Sequence, residues 1–503
     1  MKNDRLLFVA CIVSLVTTSF GFIVRAFLLG TWGQEFNLTD TQLGALQGAG
    51  LFPFALSIIL CSLVIDRIGY GRMMALAWIG HVVSAVVTMT ATGYTQLYVG
   101  TLLFALANGV VEAVTNPVTA TLFPQSKTHH LNILHSGWAG GLVLGGVLAI
   151  ALGHLEWRWK VGLFLLPAMI YGAMMLRCRF PVQERVAAGV SYRDMLGEFG
   201  WAGCLIVSYF VASAVDEVAR GVFHSALPSV GIWIITLAPT LVFGVVVRKF
   251  GRPVFVILLL MMVLLATTEL GTDSWVTALM TPVLANLGPN AGAWLLVYTS
   301  AIMFVLRFFA GPIVHRLSPL GVLAVGSGLA TAGLLWLSHA GAVAGVIFLA
   351  ATCYGIGKAF FWPTTLGIVS EQFPRGGALT LNAMGGMGMI AVGVLGSPLL
   401  GVMQDKYFEQ RLAAQNPEIH HVVAGPAETK FGLTYHPLDK QKIAALPATD
   451  HTLVEHIRAE NNQATLAKMA VLPALMAAGY VGLLLYYRGR GGYRAVQLPA
   501  SSA

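Results

Sequence analysis

The chain has 503 residues, 56% of them hydrophobic and only 10% charged. Soluble domains carry about 25% charged residues, so a freely soluble protein is excluded and an integral membrane protein is expected. The net charge of +8 sits in short turns between apolar runs, a positive-inside distribution that speaks for a lipid bilayer and against a nucleic-acid partner.

Apolar runs of about 20 residues follow one another, which selects an all-α bundle over a β-barrel. The first, about Leu6 to Gly30, holds Arg25 near its outer end and lacks a small-residue cleavage site, so it is expected to remain as a span. The second, about Thr41 to Ile65, runs into SLVIDRIGYGR, where Asp66, Arg67 and Arg72 form a tight basic turn. Runs near Met73–Thr92 and Gln96–Leu122 lead to a turn marked by Lys127, His129 and His130. A fifth run covers about Leu131 to Gly153, and a sixth ends near Cys178. After the basic segment Arg179–Glu198 come two more, Phe199–Arg220 and Pro228–Val247, closed by RKFGR. Then follow Pro253–Thr272 with TELGTDSW, Ala291–Val314, Leu320–Ser338, Ala342–Val369 and Ala378–Val402. The polar segment Gln404–Thr465 precedes a last run, Leu466–Tyr487, ending in RGRGGYR.

This predicts about fourteen transmembrane helices with both termini in the cytoplasm, because Lys and Arg collect in alternate loops. The expected division is a six-helix bundle over 1–180, and a linker with two inserted helices over 181–252. A second six-helix bundle follows over 253–490, with a long outer loop at 404–465 and a tail at 491–503. The five cysteines lie in or beside apolar runs without CxxC spacing and read as packing residues, with no metal site.

A polar stripe recurs at helical spacing through Asn108, Glu112, Asn116 and Thr119, and another through Asn132, His135 and Trp138. Gly137, Gly141 and Gly145 give small-xxx-small spacing for close helix packing. The halves repeat each other weakly: NPVTATLFP followed by LN matches WPTTLGIVSEQFP followed by LN. Asn132 lies eight residues after Pro124 and Asn382 eight after Pro374, while Glu112 and Lys358 each stand five before a proline. Such repeats, with polar groups at matching depth, mark two-bundle transporters with a site at the interface. A carboxylate in mid-span costs at least ~3 kcal/mol unless paired, protonated or wet, so Glu112 reads as functional.

SLVIDRIGYGR resembles the signature between the second and third spans of the major facilitator superfamily, with Ser62 where a glycine is usual. Glu112 before Asn116–Pro117, then LNILH, together with TELGTDSW, resembles the fucose permease branch. The resemblance implies a sugar and proton site at Glu112 and His135. One departure is that GFIVRAF, with Arg25, stands where the branch carries a first-span aspartate for proton coupling.

The expected function is a secondary transporter of a sugar or sugar-like polar solute, not an enzyme. A fourteen-helix drug/proton antiporter is the alternative and a non-transporting membrane sensor a more distant one. Substrate-binding candidates are Arg25, Glu112, Asn116, Asn132, His135, Trp138, Glu269, Lys358, Trp362 and Asn382. Glu112, with Glu269 second, is the proton-coupling candidate. Asn116 and Asn382 have an alternative role, satisfying backbone groups freed by Pro117 and nearby glycines. Asp66, Arg67, Arg72 and Arg316, at cytoplasmic span ends, are read as gating residues. Glu112 and Lys358 are expected to face one cavity, and Asp273 and Trp275 to lie at the outer surface. His81, Arg307 and His339 are read as structural. No P-loop is present, so ATP does not drive the protein directly and no cofactor is implied. A monomer in the inner membrane is expected.

Overall fold

The computed structural model describes residues 2–38, 40–223, 225–284, 287–288, 290–341 and 343–498. Helices dominate: α1 (Lys2–Glu35), α2 (Asp40–Ala49), α3 (Phe52–Ile68), α4 (Tyr70–Met89), α5 (Tyr94–Leu122) and α6 (Lys127–Ala151) run nearly end to end. Two short pieces, α7 (Trp157–Gly162) and α8 (Leu165–Met175), are followed by one turn, α9 (Glu184–Ala187). Then come α10 (Tyr192–Phe223), kinked at Gly200, and α11 (Ser229–Val247). Next come α12 (Pro253–Ala266) and α13 (Thr272–Val283), fused through a π-helical turn at Thr267–Gly271, and then α14 (Ala291–Arg307). α15 (Ala310–Ser338) turns sharply at Ser318, and α16 (Ala344–Lys358) is separated from α17 (Phe361–Gln372) by a break. α18 (Gly377–Ala391) continues through a second π-helical turn into α19 (Ser397–Gln415). A small distal unit holds α20 (Pro417–Val423), a hairpin of β1 (Glu428–Lys430) and β2 (Leu433–Tyr435), and α21 (Lys440–Ala444). The chain returns through α22 (Ala448–Met469) and α23 (Val471–Arg488).

Among the described residues, twelve helices are long and apolar enough to cross a membrane. The expectation of fourteen counts two further segments that fall short by length: α14, with 17 residues, and the broken α7–α8. TELGTDSW does not close its span, because the helix continues through the π-helical turn to Val283.

The expected glycine stripe packs α6 onto α1. A Cβ at Gly137 would stand 2.5 Å from the Ile12 carbonyl, and one at Gly145 would stand 2.5 Å from the Ile23 side chain. Close backbone approach of this kind is how membrane helices gain van der Waals contact where the hydrophobic effect is absent. Across the halves, α3 packs on α18, and α6 on α14 and α17. α10 lies against both α2 and α18. The distal unit has an apolar core of its own, including Phe408, Leu412, Val423, Ile443 and Ile457.

Candidate binding site at the bundle interface

Two prolines at matching places in the repeat set up the centre. Proline has no N–H, so the carbonyl four residues earlier loses its helical partner. Pro117 frees the Ala113 carbonyl, and Asn382 of α18 donates to it at 3.0 Å. Pro363 frees the Ala359 carbonyl at the α16–α17 break, and Nε of Arg307 donates to it at 2.8 Å. Buried backbone groups in lipid need such partners, so Asn382 serves the backbone, the second of its two expected roles.

From Arg307 a polar chain crosses the interface. Its Nη1 donates to the His135 carbonyl at 2.6 Å, and its Nη2 reaches Glu269 Oε1 at 3.3 Å. On the other side His135 Nε2 donates to Asn116 Oδ1 at 2.9 Å, and Asn116 Nδ2 donates to Glu112 Oε2 at 2.6 Å. Glu112, Glu269, Arg307 and His135 are all at most 3% exposed. They share a closed cavity of about 20 Å³ with Phe54, Trp138, Trp362, Leu270 and Met389. That space suits about one water molecule. Glu269 lies in the π-helical turn, a distortion often found where a helix carries function.

Lys358 does not line the cavity that Glu112 lines, although both were expected to face one cavity. Lys358 pairs instead with Asp273 and lies 5.0 Å over the Tyr354 ring. Asp273 is accordingly buried, not at the outer surface: the continued helix carries it inward, where the lysine neutralises it. Arg25 is also buried away from the cavity, bonded to Ser84 at 2.8 Å and stacked on Phe104 at 4.0 Å. Asn132 bonds the Thr128 carbonyl at 2.8 Å and Thr364 at 3.2 Å, fastening α6 to α17 instead of lining the cavity. Arg307, read from sequence as structural, is the hub. Its signal was a charge inside the apolar run Ala291–Val314.

At the end carrying both described termini, Asp66 pairs with Arg185, and Lys127 with Glu184 at 2.6 Å. Lys127 also donates to the Ser370 carbonyl at 3.2 Å. Glu371 accepts from the Thr128 hydroxyl and backbone N–H, and from Tyr493 at 2.7 Å. These contacts bolt α6 to α17 and close that end. Arg67 lies 5.7 Å over the Tyr192 ring, whereas Arg72 and Arg316 are exposed and stand outside the ion-pair set. Among the described residues no group of three or more His, Cys, Asp or Glu could hold a metal ion.

The fold is similar to that of the E. coli fucose:proton symporter FucP, at 15% identity over 95% of this chain and 99% of that one, with a TM-score of 0.56. It is also similar to the human organic anion transporter MFSD10, at 12% identity over 95% and 99%, with a TM-score of 0.63. The proton:xylose symporter XylE matches at 13% identity over 94% and 95%, with a TM-score of 0.59. At such identities the likeness is one of fold. Comparison with curated protein sequences finds no match. The sequence profile of the Major Facilitator Superfamily matches residues 6–284, more than half of the chain, and the chain is a member of that superfamily.

Proposed function

We propose that this protein is a secondary transporter of a sugar or sugar-like polar solute, working by alternating access and coupled to protons. The observation that carries the reading is the Glu112–Asn116–His135–Arg307–Glu269 chain, strung across both halves between the indoles of Trp138 and Trp362. A sugar needs polar groups for its hydroxyls and an apolar plane for its C–H face, and this cavity supplies both. The cavity is too small for a monosaccharide as it stands, so binding requires the halves to part. Two buried carboxylates at the centre give protons a place to couple to that parting, because the same groups would meet solute or water in turn. FucP and XylE, both named as proton symporters of sugars, share this fold. An anionic substrate is less suited, since it would have to displace Glu269 and two carbonyls from Arg307.

The reading places the closed, arginine-rich end in the cytoplasm and the distal unit outside an inner membrane, as a monomer. It divides the chain into bundles over 1–180 and 253–490 with the pair at 181–252 inserted between them. The test is transport of D-galactose and L-fucose in proteoliposomes, by counterflow and by uptake under an imposed proton gradient. Glu112→Gln should abolish gradient-driven accumulation and spare some counterflow. Wild-type uptake indifferent to the gradient at every pH would refute proton coupling, and absence of counterflow for both sugars would refute the sugar assignment.

A further inference from the structure

A second, larger cavity of about 450 Å³ opens at the distal end, and the central site does not use it. Its walls are the outer half of α2 with Gln47, the inserted helix α10 with Ala214 and Glu217, the start of α13 with Ser274 and Trp275, and α18 with Met389. Lys430, from the tip of the distal hairpin, reaches over it to Glu217 at 3.0 Å. Both lid residues come from segments outside the two six-span halves: the inserted pair and the outer loop. α10 packs against both α2 and α18, and residues of all three line the cavity, so α10 supplies one wall of a vestibule.

We propose that this vestibule is an outer binding site, where the hydroxylated solute docks before the halves part to admit it to the centre. The inference rests on the transport reading above. The volume falls within the range of small-molecule sites. The lining repeats the chemistry of the centre: Trp275 offers an indole face, Gln47 an amide, Ser274 a hydroxyl, and Glu217 with Lys430 a charged rim. Met389 lines both the vestibule and the central cavity, so one flexible side chain borders both. Thioether side chains repack readily. Trp275 follows two residues after Asp273, which Lys358 holds, so a solute against the indole lies beside the helix that carries Glu269. Glu217 and Lys430 are each about 40% exposed. An ion pair so exposed is weak and opens readily, as a lid must.

The test uses the full-length protein in proteoliposomes with Gln47→Cys or Trp275→Cys. A charged, membrane-impermeant thiol reagent is added from the distal side. Rates are measured above the background of the five native cysteines, with D-galactose and L-fucose as protecting probes. Expected are labelling clearly above background, acceleration by several-fold when Lys430→Met unlatches the lid, and protection by a sugar that the wild type moves by counterflow. That protection should persist when Glu112→Gln and Arg307→Met disable the centre. Labelling no faster than background would overturn the proposal and point to a lipid chain filling the space. Protection that vanishes with the centre disabled, or no protection while counterflow proceeds, would also overturn it and leave transport standing. If neither sugar shows counterflow, the sugar assignment above fails and the solute assignment of the vestibule falls with it.

Discussion

Arg307→Met is the most informative single change in this molecule. The guanidinium donates to two backbone carbonyls, those of Ala359 and His135, and to Glu269, all within the buried centre. Methionine nearly fills the volume and donates nothing. Removing one partner of a buried ion pair costs about 3–5 kcal/mol, because the other charge is left uncompensated. Once the halves part, water reaches the same groups, so most of this cost falls on the closed arrangement. At ~1.4 kcal/mol per tenfold, a loss of ~3 kcal/mol shifts the closed-to-open ratio roughly a hundredfold. Spin labels at Ile68 and Leu317, both exposed at the closed end, would read that shift as a longer distance. They should be attached by a chemistry that avoids the five free cysteines. Replacing both charges, Arg307→Met with Glu269→Leu, should restore much of the closed population, since an apolar pair of similar volume is often neutral. Unchanged distances in the single variant, or a further loss in the double, would refute this account of the centre.

Lys358→Met alone should destabilise the detergent-purified protein by about 3 kcal/mol, and Lys358→Met with Asp273→Leu should recover most of it; exchanging the charges of Glu112 and Lys358 should rescue nothing in counterflow. Gly109→Ala should lower the unfolding midpoint by the equivalent of about 1–3 kcal/mol, because the new Cβ meets the Phe54 carbonyl and the Ile58 amide at the α3–α5 contact. Gly30→Ala, with nothing within 4 Å, is the matched control and should change little. Glu371→Gln should weaken the bolt between α6 and α17 and raise labelling of a cysteine at buried Ser370 from the closed end by several-fold. Reporter fusions after Val190 and Lys249 should report cytoplasm and one near Pro426 the outside; a cytoplasmic signal at Pro426 would overturn the proposed orientation.

The apolar runs, the turns between them and the glycine stripe were legible because lipid leaves a chain few options: a span must be long, apolar and helical. The Glu112–Asn116–His135 face was legible for the same reason, since polar groups at helical spacing inside such a run cannot face lipid. Pairings between distant segments were not. Lys358 and Glu112 occupy matching positions in the repeat, yet Lys358 answers to Asp273, 85 residues away. Asp273 itself looked like the outer end of a span because its charge was read without its partner. Arg307 sits among apolar residues in the run Ala291–Val314, with no polar residue three or four positions away to mark a polar face. What the sequence did not show was the carbonyl that Pro363 leaves open, 52 residues further along, which draws the guanidinium inward.

The two proline gaps differ in where their filler comes from, and this bears on how the chain is made. The Ala359 carbonyl is capped by Arg307, a neighbour already synthesised when Pro363 emerges. The Ala113 carbonyl waits for Asn382, 269 residues later. The first half therefore enters the bilayer with an open backbone acceptor in its fourth span, and stays incomplete until Asn382, well into the second half, has left the ribosome. Split between its halves, this protein should behave unequally: the second fragment able to settle alone, the first dependent on its sibling's arrival and, until then, a substrate for membrane quality control.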